Sequence, residues 1–184
     1  MLGKYFFAIL SLAVMPINTA KAEVMIIDNF SDIPQRRWEF ISDQVMGGVS
    51  TGIVEYKSEK GISYALLKGQ VSTANNGGFI QIRTDIDQPE TGAWSGLHIK
   101  ARGNTQTYYL FLRTAFTLLP WQYYQASFDV TEDWTVFQLP LNAFAPSSRW
   151  LPNQVQFKSI RSLGIVAFGR DHSAAVEVAE VGFF

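Results

Sequence analysis

Cysteine is absent from this chain of 184 residues, and histidine occurs only at His98 and His172. The lack of cysteine excludes disulfides, thiolate metal sites and thiol nucleophiles. Neither histidine has a second one at metal-ligand spacing, and the acidic residues form no Asp-x-Asp-x-Asp calcium loop. The sequence therefore predicts no metal site and no cofactor.

Basic runs are missing as well. Apart from Arg36-Arg37, the lysines and arginines stand singly, and the formal net charge is −1. Nucleic-acid binding leaves a basic patch, and binding to an anionic membrane surface needs a basic amphipathic face. The sequence has neither, so it excludes both classes of partner. It also has no phosphate loop and no dinucleotide-binding Gly-x-Gly-x-x-Gly.

The first 22 residues have the features of an export signal. Lys4 precedes an uncharged apolar run at residues 5–15, and Ala20-Lys21-Ala22 gives the small-x-small cleavage pattern. That run is too short to cross a bilayer as a helix, which takes roughly 20 residues. We expect residues 1–22 to be a cleaved signal peptide and residues 23–184 to form one periplasmic or secreted domain. A retained anchor is the alternative.

The chain is rich in aromatic and β-branched residues. Phe, Tyr and Trp make up 14% of it. Short alternating stretches such as Phe79–Arg83 and Leu97–Arg102 are separated by Gly, Pro, Asn and Asp. No stretch of ten residues after the signal has a helical period. About ten short strands predict an all-β fold, an antiparallel two-sheet sandwich of the jelly-roll type.

Several finer expectations follow from the alternation. Leu97 and Ile99 should point inward and His98 outward, as an ordinary surface residue. Tyr108–Arg113 is apolar on both faces and should be a central strand. Some large aromatics are expected in the core; they are Trp38, Trp134, Phe128 and Phe137.

Two groups of residues are candidates for binding. Arg83, Arg113, Trp121 and Tyr123 lie on or beside strands near the middle of the chain, and a sheet face of this composition suits flat polar ligands. The same aromatics could instead fill the core. The second group comes from a dense stretch with a Gly-Gly pair, residues 38–50, and consists of Asp43, Gln44 and Ser50. A sharp structural turn is the alternative reading of that stretch.

Catalysis has weaker support. A hydrolase could use Asp43, or Asp171 together with His172, but one sequence cannot place these groups across a cleft. We therefore predict that the protein is not an enzyme and assign no catalytic residues.

The dense stretch also carries a resemblance. Trp38…Ser42-Asp43-Gln44-Val45-Met46-Gly47-Gly48-Val49-Ser50 strongly resembles the signature of the complex I intermediate-associated protein family. Later segments agree in order with that family: Gly77-Gly78-Phe79, Gly96-Leu97, Tyr108…Leu112-Arg113-Thr114, Trp134…Leu139-Pro140-Leu141…Phe144 and the terminal segment 165–184. The likeness extends over nearly all of residues 23–184.

The resemblance implies a galactose-binding-like jelly roll and a non-catalytic role, because mitochondrial members assist the assembly of respiratory complex I. The export signal departs from the transit peptide of those members. The first hypothesis is therefore an exported domain that binds another protein, an envelope or respiratory component, in an assembly or chaperone-like role. The alternatives are a carbohydrate-binding module and the hydrolase named above.

Overall fold

A computed structural model describes residues 24–87 and 93–184. The predicted signal peptide lies outside these residues. The described chain folds into strands joined by loops and short 3-10 turns. The strands are β1 (Met25–Asp28), β2 (Glu39–Ser42), β3 (Thr51–Glu59), β4 (Ile62–Val71), β5 (Phe79–Asp85), β6 (Gly96–Gly103), β7 (Thr107–Thr114), β8 (Tyr124–Asp129), β9 (Thr135–Pro140), β10 (Ala145–Pro146), β11 (Ile160–Phe168) and β12 (His172–Phe183).

The 3-10 turns each span a single turn of chain. They are Pro34–Arg36, Asp43–Met46, Ala74–Asn76, Leu141–Ala143 and Phe157–Ser159. In the part of the chain that the structure describes, no helix has the length and apolar character needed to cross a bilayer.

The strands form two antiparallel sheets. The back sheet has the order β3-β4-β12-β6-β9, with β1 also paired to β12. The front sheet has the order β10-β8-β7-β11-β5-β2. The two sheets pack face to face, which confirms the predicted all-β, two-sheet sandwich. β7 lies inside the front sheet, between β8 and β11, so the prediction of a central strand is also confirmed.

Alternate residues of each strand fill the space between the sheets. Leu110 and Ile165 of the front sheet, and Ile99 and Val181 of the back sheet, are completely buried. Burial of each such side chain contributes about 1.5–3 kcal/mol to folding. The same alternation turns every second side chain of the front sheet outward, and these outward side chains form the candidate site.

The predicted core aromatics behave differently from one another. Trp38 and Phe128 are buried in the core, and Phe137 packs against it. The indole Nε1 of Trp38 donates a hydrogen bond to Asp28 at 2.8 Å, so its one polar atom has a partner. Trp134 is an exception to the prediction. It lies outside the core cluster, half-buried, with the guanidinium of Arg102 over its ring.

His98 corrects another expectation. Its side chain does point away from the core, yet it is buried rather than exposed. Nε2 pairs with Oε1 of Glu180 at 3.0 Å. Gly182 lies directly opposite on β12, and a Cβ there would be 2.5 Å from His98 Cε1. The close approach of β12 covers the imidazole, which a single-strand pattern cannot reveal.

Candidate functional site

A groove of about 450 Å³ crosses the outer face of the front sheet. β5, β11 and β7 form its floor. The Asp43–Met46 turn forms one wall, and the loop between β7 and β8 forms the other. Its lining residues are Ile41, Val45, Met46, Phe79, Gln81, Arg83, Phe111, Arg113, Pro120, Trp121, Gln122, Tyr123, Ser162 and Gly164.

The groove is open above β11, the middle strand of its floor, because β11 has small residues on this face. Arg83 on β5 and Phe111 on β7 both lie opposite Gly164 of β11, and Arg113 lies opposite Ser162. A Cβ on Gly164 would be 2.7 Å from Oε1 of Gln81, so a side chain there would push into the groove. Two arginines thus flank a strand that leaves the space between them open.

Aromatic rings continue the floor beyond the groove. Phe111 and Tyr123 are stacked, with ring centroids 4.0 Å apart and planes inclined by 10°. Phe168 packs edge-on against Phe111 at 5.3 Å, and Tyr109 packs edge-on against Phe168 at 5.7 Å. Such packing fixes the ring positions and leaves part of the Tyr123 ring facing the groove.

Both walls expose apolar side chains. On one side, Val45 is 73% exposed and Met46 is 58% exposed. On the other side, Trp121 is 62% exposed. The loop that carries Trp121 is held in place by Gln122, whose Oε1 accepts hydrogen bonds from the amides of Leu118 and Leu119. The two walls therefore present apolar surface to solvent on both sides of the groove.

The two arginines of the groove have different partners. Arg83 pairs with Glu39 at 3.1 Å. Arg113 donates through Nη2 to the backbone carbonyls of Thr117 and Leu119, at 3.2 and 3.1 Å. Burial and the positive charge of Arg83 both lower the pKa of Arg113 from its usual value. Arg113 remains protonated at neutral pH, because a guanidinium does not lose its proton in proteins.

Asp43 begins the wall that carries Val45 and Met46, but its side chain turns inward. It is completely buried. Its carboxylate accepts hydrogen bonds from the Ser50 amide and hydroxyl, and from the amides of Gly78 and Phe79. Burial acts to raise the pKa of Asp43, but the hydrogen bonds from Ser50 and Gly78 outweigh it and lower the pKa below its ordinary value.

Glycines make room for this carboxylate. A Cβ on Gly48 would lie 2.3 Å from Asp43 Cγ, and a Cβ on Gly77 would lie 2.4 Å from Oδ2. The Ser50 hydroxyl also accepts a hydrogen bond from the Ser72 amide at 3.0 Å. We call Asp43, Gly48, Ser50, Gly77 and Gly78 the Asp43 corner. It joins the start of β3, the end of β4 and the start of β5.

The predicted binding residues thus fall into two places. Arg83, Arg113, Trp121 and Tyr123 are brought together in the groove. The other three lie at or beside the Asp43 corner. Asp43 and Ser50 are buried, and Gln44 is exposed with its Nε2 donating to the Ser50 carbonyl at 2.9 Å. None of these three lines the groove.

Ser50 is also the central residue of the segment Gly48-Val49-Ser50-Thr51-Gly52, which matches the Gly-x-Ser-x-Gly sequence pattern of a nucleophile elbow. An elbow presents an exposed serine between a strand and a helix. Here the serine is buried, leads into β3, and has hydrogen bonds with Asp43 and Ser72 rather than with a histidine. The match is one of letters only.

The second hydrolase candidate also lacks the expected geometry. The Asp171 carboxylate accepts hydrogen bonds from the amide and hydroxyl of Thr73. Nδ1 of His172 contacts the Arg170 carbonyl at 2.8 Å. Among residues 24–87 and 93–184, no three or more His, Asp or Glu side chains come together as a metal site would need.

The groove contains residues that the sequence did not single out, above all Gln81, Phe111, Ser162 and Met46. For Phe111 a signal existed, because it alternates with Arg113 along β7 and so shares its face. Gln81 alternates with Arg83 in the same way. Nothing local to Ser162 indicates that β11 passes between β5 and β7.

The structure thus belongs to the class of antiparallel β-sandwiches, with an open groove on the outer face of one sheet. The family model for "Complex I intermediate-associated protein 30 (CIA30)" matches residues 29–177, and the chain belongs to this family. This confirms the family that the signature indicated. No curated protein matches the chain.

Solved structures with the same fold include carbohydrate-binding modules. One is the family 11 module of cellulosomal cellulase Lic26A-Cel5E of Clostridium thermocellum, with a TM-score of 0.72 and 11% identity over 90% of this chain and 96% of that chain. The family 11 module from the same organism in complex with a β-1,3-1,4-mixed-linked tetrasaccharide has a TM-score of 0.69, with 12% identity over 88% and 95%.

A family 30 carbohydrate-binding module of cellulase Cel9D-Cel44B, also from C. thermocellum, has a TM-score of 0.53. It is 12% identical and the match covers 75% of this chain and 87% of that chain. At these identities the likeness shows the fold. Both the family and these modules are non-catalytic kinds of domain.

Proposed function

We propose that the protein is a non-catalytic, assembly-type binding domain that holds a segment of another protein in the groove of the front sheet. The observation that carries this proposal is the pair of exposed apolar walls. Val45 and Met46 stand on the β2 side of the groove, and Trp121 stands on the β8 side. A peptide segment lying between the two walls would cover their apolar side chains, and its backbone would cross the floor of the groove.

The chemistry of the lining favours a protein segment over a neutral sugar. Sugar hydroxyls both donate and accept hydrogen bonds, and carboxylates are strong acceptors for them. None of the described residues that line the groove is acidic. Val45 and Met46 offer no hydrogen bonds, but they suit an apolar side chain, and methionine adapts readily to different contact shapes. Family membership supports the same proposal.

Photo-crosslinking from the wall tests it. Trp121 is replaced by p-benzoylphenylalanine, and the chain is irradiated in cells of the source organism. We expect one discrete protein adduct. Excess unlabelled wild-type protein should compete for the partner and suppress the adduct, whereas an excess of the Met46→Asp variant should not. Ile53, about half-exposed on β3 of the back sheet, is the matched control position and should give no such adduct. Identical adducts from both positions, or none from Trp121, would contradict the proposal.

A carbohydrate-binding function is the second candidate. It is favoured by the Phe111–Tyr123 stack, which presents a ring to the groove, and by the fold shared with carbohydrate-binding modules. Calorimetric titration with a mixed-linked β-glucan tests it. A saturable heat of binding that is lost in Tyr123→Ala would support carbohydrate binding. The absence of any heat of binding across a panel of glycans would contradict it.

We also propose that the domain acts outside the cytoplasm, since residues 1–22 have the pattern of a signal peptide. Intact-mass measurement of protein from the periplasmic or culture fraction should give a chain that starts at Glu23. A full-length chain in the cytoplasmic fraction would contradict this.

A further inference from the structure

The guanidinium of Arg113 is only partly used by the protein itself. Its described hydrogen bonds both come from Nη2 and both go to backbone carbonyls, those of Thr117 and Leu119. Within the described residues, Nη1 and Nε have no partner. An arginine has five N–H donors in a rigid fork, and it stabilises a site most when that fork meets a carboxylate.

Three other arginines of the chain, Arg37, Arg102 and Arg83, pair with carboxylates. Arg37 donates to Asp28 through Nε and Nη2, both at 2.9 Å. Arg102 pairs with Glu59 and Glu177. In the groove, Arg83 pairs with Glu39 at the rim. Arg113 is half-buried, and its charge has no acidic neighbour among the groove residues.

The surroundings make this unbalanced charge costly. Burial and the field of Arg83 disfavour the charged form of Arg113, as the lowered pKa of its side chain indicates. An anionic group in the groove would offset the repulsion from Arg83, and by accepting hydrogen bonds from the guanidinium it would compensate for the loss of contact with water. Neutral donors and acceptors stand beside it, because Gln81 and Ser162 also line the floor.

We propose that the groove selects a carboxylate-bearing peptide segment, with one of the unpartnered N–H groups of Arg113, on Nη1 or on Nε, donating to an Asp or Glu side chain of the partner. This rests on the proposed function and deepens it. The acidic residue lies over Ser162, and apolar residues on either side of it contact Trp121 and Met46. The partner motif is thus an acid within an apolar run, and an acidic run alone would leave the walls unfilled.

Selection from a random peptide library displayed on phage tests the proposal, with the complete chain as bait. We expect enrichment of peptides that carry Asp or Glu between large apolar residues. The best peptide is then synthesised with its acid and with the matching amide. Loss of one charge-assisted contact should weaken binding of the amide peptide about ten- to hundred-fold to the wild-type protein. Equal affinities for the two peptides would overturn the proposal.

Variants locate the contact. In Arg113→Gln the preference for acid over amide should fall to about two-fold or less, and Arg113→Lys should keep part of it because the charge remains. Arg161→Gln is the matched control. Arg161 is an exposed arginine on β11 that also donates to backbone carbonyls, those of Lys158 and Ile160, and it does not line the groove. An unchanged preference in Arg113→Gln would overturn the assignment.

The outcomes separate this proposal from the broader one. If the Trp121 crosslink forms equally well in Arg113→Gln, the carboxylate contact is wrong while the protein-binding function stands. If no crosslink forms and no peptide is selected, both fail. A third outcome is that no peptide binds but polygalacturonate binds saturably, and that Arg113→Gln abolishes this binding. The carboxylate would then belong to an acidic polysaccharide, and the peptide proposal would be overturned. Because Arg113 also supports the β7–β8 loop, a thermal melt accompanies each variant.

Discussion

The Asp43 corner and the groove are separated by one short 3-10 turn, yet they treat polar groups in opposite ways. In the corner, a buried carboxylate accepts four hydrogen bonds and two glycines fit closely around it. In the groove, Arg113 has N–H groups without partners among the described residues, and Val45 and Trp121 expose apolar surface. The corner pairs its own polar groups, whereas the groove leaves donors and apolar side chains facing solvent.

This contrast separates architecture from recognition. Substitution in the corner should lower the stability of the fold, because each lost contact leaves a buried donor unpaired. Substitution of the exposed wall residues of the groove should alter binding and leave stability nearly unchanged, because these side chains lie mostly in solvent. The predictions below test that division.

Asp43→Ala should have the largest effect. It leaves the amides of Ser50 and Gly78 without an acceptor inside the protein, and we expect the free energy of unfolding to fall by about 3–5 kcal/mol. Urea denaturation measures it. Asp171→Ala is the control, since Asp171 accepts two hydrogen bonds from Thr73 at an exposed site and should cost much less. Equal losses in the two variants would mean that the corner has no special importance.

Gly48→Ala should come next. Its Cβ would lie 2.3 Å from Asp43 Cγ, and overpacking of this kind costs about 2–3 kcal/mol. Gly47→Ala meets no atom within 4 Å, but φ is +89° there, so a left-handed strain of about 1–2 kcal/mol is expected. Denaturation of both variants side by side checks the order. A larger loss at Gly47 would show that backbone strain outweighs the Asp43 contact.

Acid should weaken the protein through Asp43 and Asp28. At Asp28, burial acts to raise the pKa, but hydrogen bonds from Arg37 and Trp38 outweigh it, so both folded-state pKa values lie below their ordinary value of 3.8. The unfolded chain therefore takes up protons first as the pH falls. The resulting stability is present above about pH 4 and is lost as the pH falls through the folded-state pKa values.

Denaturation at a series of pH values from 7 to 2.5 measures this loss. It should be smaller than that of Asp43→Ala, since a protonated carboxyl keeps an acceptor oxygen. Asp43→Asn removes one of the two titrating groups, so its stability should vary less with pH than that of the wild type. An equally steep profile in Asp43→Asn would show that other carboxyls dominate.

Trp121→Ala should have the smallest effect on stability, within about 0.5 kcal/mol of the wild type, because the side chain is mostly in solvent. The same variant should lose the peptide or partner binding proposed for the groove. Trp38→Ala is the matched control, because this tryptophan is buried and its loss should cost about 3–5 kcal/mol. Comparable losses in the two variants would place Trp121 among the structural residues.

Much of the fold could be predicted from the sequence because alternation is a local property. The all-β class, the inward side of β6 and the position of β7 inside its sheet all follow from the order of polar and apolar residues within single segments. The covered His98 did not follow, since the glycine that packs against its ring belongs to β12. Strand order decides such contacts, and no single segment contains it.

The same distinction between local pattern and strand order applies to the candidate site. Arg83 and Arg113 could be selected by composition and position, but their placement on either side of β11 depends on a strand that starts more than forty residues later in the chain. The role of Asp43 was open for a similar reason. Its hydrogen-bond partners Gly78 and Phe79 lie 35 and 36 residues away. The letters around it are therefore equally compatible with a ligand contact and a structural anchor.

The short turn from Asp43 to Met46 has a consequence for how such a domain could be adapted. Its first side chain is locked beneath the surface, and its last two face the groove. Exchanging Val45 or Met46 would change the shape of one wall without disturbing the anchor that holds the wall in place. Specificity could therefore be redesigned at Val45 and Met46 while Asp43 and the glycines that pack around it stay as they are.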